Sequence, residues 1–420
     1  MNAQAIIQDR YNASEDLLER NLAPRPHKTA YIDERGSYSF ADLGERVNRC
    51  AGALTGLGLN METRVLVCLQ DTIDFPAIFL GAIKAGLVPI PVNTLLTSSD
   101  FDFMLRDSRA QALVLSAALL PVFEPILADQ PFLRHVVVSG EKSSGHQQLD
   151  ELMAQASNDF TAAQTRADDP CFWLYSSGST GTPKGVVHVH TSMMHSATLY
   201  AQPILGIQET DVVFSAAKLF FAYGLGNALT FPLSAGATTI LLADRPTPAA
   251  VCRILREHRP TIFYGVPTLY SALLASAELP KRADLNLRRC TSAGEALPSE
   301  VGRRWLEHTG VDILDGLGST EMLHIFLSNR PGEVRYGTTG KPVPGYDIRL
   351  LDEEGKPVAK GEIGELQVAG PTSAACYWNN RDKSRATFLG PWTPSGHKYT
   401  EDGDGYFTYS GRNHVMLQVG

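Results

Sequence analysis

The sequence lacks the features that mark membrane proteins and nucleic-acid-binding proteins. No run approaches the roughly 18 apolar residues that span a bilayer, and residues 1–21 carry acids and amides where a signal peptide has an apolar stretch. There is no low-complexity tract, and the net charge of −8 offers no excess of Lys and Arg to a phosphate backbone. We therefore expect a globular protein with neither a membrane nor nucleic acid as its partner.

The cysteines are scattered and form no C-x-x-C pair. They are Cys50, Cys68, Cys171, Cys252, Cys290 and Cys376. This spacing disfavours a disulfide framework or a metal cage and suits reduced thiols. The expected location is cytoplasmic.

With 420 residues the chain is too long for one ordinary core, so we expect two or three packed lobes. Short, nearly continuous apolar runs alternate with helical stretches, such as Phe75–Ala85. The runs that predict strands are 64–69, 88–92, 112–115, 135–139, 211–215, 238–242 and 261–264. Buried strands spaced by helices indicate parallel sheets covered on both faces. The predicted fold class is α/β, with two parallel-type sheets and covering helices.

The pattern changes from about Gly337 onward. Alternating runs at 346–351 and 364–368 flank the turn at 352–355, which is typical of a hairpin and predicts a small antiparallel β-barrel or sheet. We therefore divide the chain into a large N-terminal domain at 1–410 and a hinge at 411–420. That domain would hold two α/β lobes to about 335 and the barrel at about 336–410.

A stretch rich in glycine and hydroxyl groups follows the apolar run 171–175. It reads Tyr175-Ser-Ser-Gly-Ser-Thr-Gly-Thr-Pro-Lys-Gly185. Glycines let backbone N–H groups turn toward an anion, hydroxyls add donors, and the lysine neutralises charge. It is not a P-loop, because Gly185 follows the lysine. The stretch predicts phosphate binding, and the alternative is a surface turn.

This segment resembles the signature loop of the adenylate-forming superfamily, which includes acyl- and aryl-CoA ligases, luciferases and adenylation domains. Ser292–Pro298, Asp315–Glu321 and Gly411-Arg412 resemble further motifs of that family, in its order. The long segments Ala216–Pro232 and Gly318–Asn329 are most similar to benzoate–CoA ligases. The resemblance covers essentially the whole chain. It implies ATP, Mg²⁺, coenzyme A and a small aromatic carboxylic acid as ligands.

The resemblance also implies a nucleotide site spread over these motifs. Its residues would be Ser176, Ser177, Gly178, Ser179, Thr180, Gly181, Thr182, Gly294, Glu295, Ala296, Asp315, Gly316, Leu317, Gly318, Thr320, His397 and Arg412. Thr320, Glu321 and Lys184 would be catalytic. Thr320 would bond the α-phosphate or the acid, and Lys184 would hold the β- and γ-phosphates with Ser177, Ser179 and Thr180. Glu321 would hold Mg²⁺, which prefers oxygen ligands. Read without the family, Glu321 is an acid near a helix N-terminus.

For the aromatic acid, the resemblance implies a flat slot between two walls. One wall would be Phe220, Phe221, Ala222, Tyr223 and Gly224, and the other Gly294, Gly318, His324 and Ile325. Small residues leave room for a ring, and aromatic residues stack on it or meet its edge. The alternative is that one of the two phenylalanines, and His324, belong to the ordinary core.

Three histidines, His188, His190 and His195, have the spacing of metal ligands. Neither a cysteine nor an acid joins them, so we expect a structural or surface role.

The sequence departs from the family after residue 395. His397 stands where the family has an aspartate that accepts hydrogen bonds from both ribose hydroxyls. A neutral histidine offers one acceptor and a charged one none, so nucleotide binding should weaken by about 1.5–3 kcal/mol. In the hinge, His414, Val415 and Gln418 replace charged residues. The family's C-terminal lid domain, whose lysine drives adenylation, lies outside these 420 residues, which alone should adenylate very slowly.

Three functions fit these observations. The leading hypothesis is an aryl-CoA ligase, with a homodimer as one expected assembly, that activates benzoate or a substituted benzoate such as 2-aminobenzoate (anthranilate). The second is a relative that transfers an aryl group between coenzyme A and a carrier protein without adenylation. The third is a non-catalytic ligand-binding module. The loop at 175–185 and the Thr320-Glu321 pair favour the first.

Overall fold

The structure, a computed structural model, describes residues 10–176 and 181–412, with the backbone alone for Arg412. The α-helices are short to medium in length. They are α1 (Ala13–Leu22), α2 (Phe40–Gly56), α3 (Asp74–Lys84), α4 (Ser98–Ser108), α5 (Leu120–Leu127), α6 (Leu149–Gln155), α7 (Ser192–Ser196), α8 (Ala222–Leu225), α9 (Phe231–Ala235), α10 (Pro248–Glu257), α11 (Pro267–Ala275), α12 (Ser299–Thr309) and α13 (Arg381–Thr387). Within these ranges no helix is long and apolar enough to cross a bilayer.

Side-chain caps fix where several helices begin. Ser39 and Asp42 form a capping box at the start of α2, and Thr97 and Asp100 form another at α4. Thr247 caps α10 just before Pro248. A proline suits the first helical position because it has no N–H group of its own that would need a partner. Two π-helical stretches, Ala197–Leu205 and Gly226–Thr230, extend α7 and α8.

The strands of the described residues form four sheets. They are β1 (Thr29–Asp33), β2 (Gly36–Ser39), β3 (Arg64–Cys68), β4 (Val88–Pro91), β5 (Ala112–Ser116), β6 (His135–Ser139), β7 (Gln147–Gln148), β8 (Pro170–Ser176), β9 (Lys184–Val189), β10 (Val212–Ser215), β11 (Thr238–Ile240), β12 (Ile262–Gly265), β13 (Arg289–Ser292), β14 (Ile313–Gly318), β15 (Ile325–Ser328), β16 (Lys341–Pro342), β17 (Asp347–Leu351), β18 (Gly364–Ala369), β19 (Cys376–Tyr377), β20 (Trp392–Glu401) and β21 (Phe407–Arg412).

Two large sheets confirm the α/β prediction. The first has the order β4-β3-β5-β6-β7 and is parallel throughout. The second has the order β16-β15-β14-β13-β12-β10-β11-β1-β2, parallel from β14 to β1 and antiparallel at its two ends. Their central strands are almost fully buried because helices cover them, as the continuous apolar runs predict.

A third sheet carries the glycine- and hydroxyl-rich stretch. Its order is β19-β9-β8, all antiparallel, and the stretch joins β8 to β9 as a hairpin connection. The strand β19 comes from much later in the chain. It therefore brings residues 376–377 beside the lysine that begins β9.

The C-terminal part is antiparallel, and the predicted hairpin of β17 and β18 is confirmed. Of the predicted barrel or sheet, the structure has the sheet, which is open and has the order β17-β18-β20-β21. Within the described residues the two edge strands, β17 and β21, do not pair with each other. Four strands are too few to close around a packed interior, which takes about eight. The domain boundaries stay a prediction, and we note that β16 and β19 pair with earlier sheets.

Candidate active site

A cavity of about 890 Å³ opens where the parallel strands of the large mixed sheet end. Ala216 follows β10, Val266 follows β12, and Ala293 follows β13, and all three line it. Ser319 lines it after β14. Ligands of open α/β sheets bind at the carboxyl ends of the strands, so the cavity occupies the expected place for a ligand.

Many of the residues predicted for a site meet in this cavity. They are Phe220, Phe221, Ala222, Tyr223, Gly294, Gly318, Thr320, His324 and Ile325. Others stand outside its lining: Ser176, Gly181, Thr182, Lys184, Gly224, Glu295, Ala296, Asp315, Gly316, Leu317, Glu321 and His397. Gly224 serves close packing instead, because a Cβ there would overlap the carbonyl oxygen of Lys218.

The aromatic wall stands on a buried polar support. Phe220 is buried and Phe221 is 48% exposed, with 4.5 Å between their ring centres. The backbone N–H of Leu219 donates to both carboxylate oxygens of Asp71 at 3.3 Å. Burial raises the pKa of Asp71 to about 6, against the opposing charge of Lys218. The backbone of the wall is therefore held by the carboxylate of Asp71, and the charge of Lys218 lies near that carboxylate.

Lys218 itself is tied to the next strand connection. Its Nζ donates to the carbonyl oxygens of Leu242 and Asp244, the latter at 2.6 Å. Burial lowers the pKa of Lys218, while the charge of Asp71 raises it. Lys218 lies inside the segment that resembles benzoate–CoA ligases, yet neither it nor Asp71 was among the predicted site residues. The apolar run around Lys218 is the signal that could have marked it as a partly buried charge at the cavity.

His324 lies between the core and the cavity. Its Nε2 is 3.1 Å from Asn227 Oδ1 and 3.3 Å from the carbonyl oxygen of Tyr223. Because both partners are acceptors, Nε2 carries the proton and Nδ1 is an acceptor. Burial lowers the pKa of His324 to about 3, so the ring is neutral. In the part of the chain that the structure describes, the buried Nδ1 has no hydrogen-bond partner.

The turn between β14 and β15 is strained and well anchored. Leu323 has φ +66°, a left-handed conformation that costs a branched side chain about 1–3 kcal/mol. The backbone N–H of Met322 donates to Ser319 Oγ at 3.2 Å, and His188 Nε2 lies 2.8 Å from the carbonyl oxygen of Thr320. The N–H of Ala374 donates to the carbonyl oxygen of Glu321 at 2.8 Å. These bonds hold Thr320 at the cavity.

The carboxylate of Glu321 joins the turn to the three-stranded sheet. Its Oε1 accepts from Tyr377 Oη at 2.8 Å and from Ser176 Oγ at 3.3 Å. Lys184 Nζ lies over the ring of Tyr377, 4.8 Å from its centre. Burial lowers the pKa of Lys184, and the charge of Glu321 opposes that shift. The structure thus brings together Ser176, Lys184 and Glu321, which lie far apart in sequence.

The donor set around Glu321 suits a hard cation that shares its ligands with a substrate. Where residues are described, no group of three or more His, Cys, Asp or Glu side chains could hold a metal alone. Mg²⁺ is commonly bound by one or two carboxylates together with phosphate oxygens and water. Glu321, with the hydroxyl groups of Ser176 and Thr320 nearby, fits that mode of binding.

The remaining nucleotide candidates are placed less uniformly. Gly294 has φ +96° and faces open space, so its backbone can approach a flat ligand. The carboxyl of Asp315 is buried, and burial raises its pKa well above the ordinary value. His397 lies opposite Arg412 in the β20–β21 pair, with its ring 5.8 Å from that of Tyr409.

Some predicted residues lie outside what the structure describes. They are Ser177, Gly178, Ser179, Thr180, the side chain of Arg412, and His414, Val415 and Gln418. The three clustered histidines are all described. His188 is buried and stacks on Phe172, with 5.3 Å between ring centres. The Nδ1 of buried His190 accepts from the backbone N–H of Ala13, and His195 is half-buried on α7. These contacts belong to the core.

Aromatic side chains line the cavity, and the charged groups of Lys184 and Glu321 lie beside its Thr320 turn. The family model described as AMP-binding enzyme matches residues 18–378, and the chain belongs to this family. A benzoate–CoA ligase of Thauera aromatica is 61% identical over 98% of this chain and 79% of its own length. A 4-hydroxybenzoate–CoA/benzoate–CoA ligase of Rhodopseudomonas palustris is 48% identical over 97% of this chain and 76% of its own.

Solved structures give the same picture of the fold. A benzoate CoA ligase from Burkholderia xenovorans superposes with a TM-score of 0.92 at 52% identity, covering 97% of this chain and 81% of that one. An anthranilate CoA ligase in complex with anthranoyl-AMP superposes with a TM-score of 0.95 at 40% identity, covering 100% of this chain and 81% of that one.

Proposed function

We propose that this protein is an AMP-forming aryl-CoA ligase that activates benzoate or a substituted benzoate. The carboxylate of the acid attacks the α-phosphorus of ATP, the bond to the β-phosphate breaks, and pyrophosphate leaves. The thiolate of coenzyme A then attacks the carbonyl carbon, and AMP leaves. The observation that carries the proposal is the single cavity in which the aromatic wall meets the Thr320 turn. The similarity to benzoate–CoA ligases supports it.

The aromatic ring would lie between Phe220, Ala222 and Tyr223 on one side and Gly294, Gly318 and Ile325 on the other, all of which line the cavity. Burying the ring of the acid against these groups supplies non-directional binding energy, about 25 cal/mol per Å² of apolar area. The carboxylate would then point toward Thr320, whose position the bond from His188 fixes. Alignment of this kind lowers the barrier because the reacting atoms are already placed.

The phosphates would lie toward the three-stranded sheet. Lys184 and the hydroxyl of Ser176 flank Glu321 there, and the glycine- and hydroxyl-rich connection joins the same two strands. These groups would neutralise charge on the triphosphate, which is the main requirement of phosphoryl chemistry. Mg²⁺, when bound by Glu321 and phosphate oxygens, would supply further neutralisation of that charge. Gly294 to Ala296, Asp315 to Leu317, His397 and Arg412 remain our proposal for the adenosine.

The ring substituent is a finer part of the proposal. The unprotonated Nδ1 of His324 is a buried acceptor at the cavity wall, and such an acceptor favours a ring that carries an amino or hydroxyl donor. The anthranilate CoA ligase with anthranoyl-AMP and the hydroxybenzoate ligases among the relatives support these substrates. The free thiols of all six cysteines suit the cytoplasmic location that we include in the proposal.

The test is benzoate-dependent exchange of labelled pyrophosphate into ATP by the full-length protein. We expect exchange with benzoate, 2-aminobenzoate or a hydroxybenzoate, and release of AMP once coenzyme A is added. Exchange that is independent of any aromatic acid would sink the proposal. Transfer of an aryl group from coenzyme A to a carrier protein without ATP use would instead support a relative of these ligases that transfers aryl groups without adenylation.

A further inference from the structure

Tyr377 occupies a position between the two charged groups of the proposed phosphate site. It lies in β19, and its register partner on β9 is Val186, two residues after Lys184. Its side chain is 4% exposed and packs on Phe388, with 5.2 Å between ring centres. The hydroxyl of the phenol points toward Glu321.

The hydrogen bonds to Glu321 are unevenly shared between its two oxygens. Tyr377 Oη donates to Oε1 at 2.8 Å, and Ser176 Oγ donates to the same oxygen at 3.3 Å. Among residues 10–176 and 181–412, no donor reaches Oε2. Two donors on one oxygen fix the plane of the carboxylate and leave the other oxygen available to a cation.

The phenol is the donor in its bond to Glu321, because a carboxylate is an acceptor only. The bond to Glu321 is then a neutral donor to a charged acceptor, which is stronger than a bond between neutral groups.

The ring of Tyr377 contacts the second charged group. Lys184 Nζ lies 4.8 Å from the ring centre, within the range of a cation–π interaction. One side chain thus touches a carboxylate through its hydroxyl and an ammonium group through its face.

We propose that Tyr377 is a positioning residue for the metal–phosphate part of the site. Its hydroxyl fixes Oε1 of Glu321 and would leave Oε2 to hold a cation, and its ring supports the ammonium of Lys184. This inference rests on the proposed adenylation reaction.

The test separates the hydroxyl from the ring. Tyr377→Phe removes the hydroxyl and keeps the ring under Lys184, whereas Tyr377→Leu removes both. Binding of Mn²⁺ is measured by electron paramagnetic resonance with the full-length protein and α,β-methylene-ATP, and the Mg²⁺ dependence of pyrophosphate exchange is measured beside it. For Tyr377→Phe we expect the dissociation constant of Mn²⁺ to rise roughly 10- to 100-fold, the worth of a hydrogen bond to a charged group. The KM for benzoate should not change.

For Tyr377→Leu we expect, in addition, weaker binding of α,β-methylene-ATP measured without metal. The matched control is Tyr336→Phe, which breaks a similar phenol–carboxylate bond of 2.6 Å to Asp312, away from the cavity lining. This control should leave the Mn²⁺ affinity unchanged.

Unchanged Mn²⁺ affinity in folded Tyr377→Phe would overturn the inference. If that variant does not fold, Ser176→Ala removes the other donor to the same oxygen, and an unchanged Mn²⁺ affinity there would overturn it as well. A wild-type protein without exchange would count against the proposed function. Normal exchange with unaltered metal dependence in Tyr377→Phe would count against the role of Tyr377 alone.

Discussion

The cavity and the charged groups beside it are the two sides of the proposed site, and they are built differently. The side proposed for the acid is aromatic, and the buried carboxylate of Asp71 supports its backbone. The side proposed for the phosphates consists of half-buried charged and hydroxyl groups whose partners come from a different sheet, as in the bond from Tyr377 to Glu321. Shape and packing should therefore decide which acid binds, and charge placement should decide how ATP reacts. A substitution on the side proposed for the acid should leave ATP binding unchanged. A substitution on the side proposed for the phosphates should leave binding of the acid unchanged.

The largest effect is expected on the phosphate side. Glu321→Gln keeps the size of the side chain and removes the charge that would hold Mg²⁺. We expect the pyrophosphate exchange rate at saturating benzoate to fall roughly 10²- to 10³-fold, the range for losing one group that stabilises developing charge. The KM for benzoate should stay the same.

The control for that substitution is Glu300→Gln, at an exposed site in the first turn of α12. It should exchange at the wild-type rate. A higher KM for benzoate in Glu321→Gln, with its exchange rate preserved, would contradict the assignment of the acid and the phosphates to separate groups of residues.

On the acid side, Ala222→Leu should fill part of the slot. Ala222 lines the cavity, and a few extra carbon atoms in a fitted pocket cost about 1–3 kcal/mol, or 10- to 200-fold in kcat/KM. We expect kcat/KM for benzoate to fall by that factor while the KM for ATP holds. Ala128→Leu, at an exposed helix end, is the control. Equal losses for both substrates would contradict a slot specific to the acid.

His397→Asp restores the acceptor that the family has next to its ribose. We expect the dissociation constant of ATP, measured by calorimetry, to fall roughly 10- to 100-fold, which corresponds to about 1.5–3 kcal/mol. His258→Asp makes the same exchange of residue at an exposed site after α10 and should have no effect. Unchanged or weaker ATP binding in His397→Asp would remove His397 from the nucleotide site.

The smallest effect concerns stability and pH. Burial holds the pKa of His324 at about 3 in the folded state, below the roughly 6.5 of an unfolded chain. Below that upper value the unfolded state takes up the proton first. Because of His324, the free energy of unfolding should decrease by about 1.4 kcal/mol for each pH unit as the pH falls from about 6.5 toward the folded pKa.

His324→Gln should accordingly lose less stability between neutral and mildly acidic pH than the wild-type protein does. The measurement is the thermal midpoint as a function of pH, with exposed His258→Gln as the control. The same pH slope in His324→Gln and in the wild-type protein would show that His324 is protonated equally in both states.

The fold was largely predictable because its strands are continuous apolar runs. The runs at 64–69, 112–115 and 261–264 overlap β3, β5 and β12, and the turn at 352–355 joins a true hairpin. Whether the C-terminal strands form a closed barrel or an open sheet was not predictable. Alternation of apolar and polar residues indicates antiparallel strands, but it does not show whether the two edge strands pair with each other. Closure depends on strand number and stagger.

For the site, the resemblance to the family identified residues that line the cavity. Phe220 and His324 each lie in a segment of the sequence that resembles benzoate–CoA ligases. The resemblance missed Tyr377 and Asp71, because each acts through one bond across a long separation in sequence. Tyr377 is 56 residues from Glu321, and Asp71 is 148 residues from Leu219. The sequence around a single tyrosine or aspartate contains no local pattern that predicts a hydrogen bond to a residue far away in the chain.

The central claim is that the aromatic acid and the adenosine part of ATP bind in one site. The most direct measurement is calorimetry with a hydrolysis-resistant benzoyl-adenylate analogue, such as the acyl sulfamate, on the wild-type protein and on Ala222→Leu and His397→Asp. We predict a single binding event that displaces both benzoate and AMP, weakened by Ala222→Leu and strengthened by His397→Asp. An analogue that displaces AMP without displacing benzoate, or that ignores Ala222→Leu, would contradict the claim.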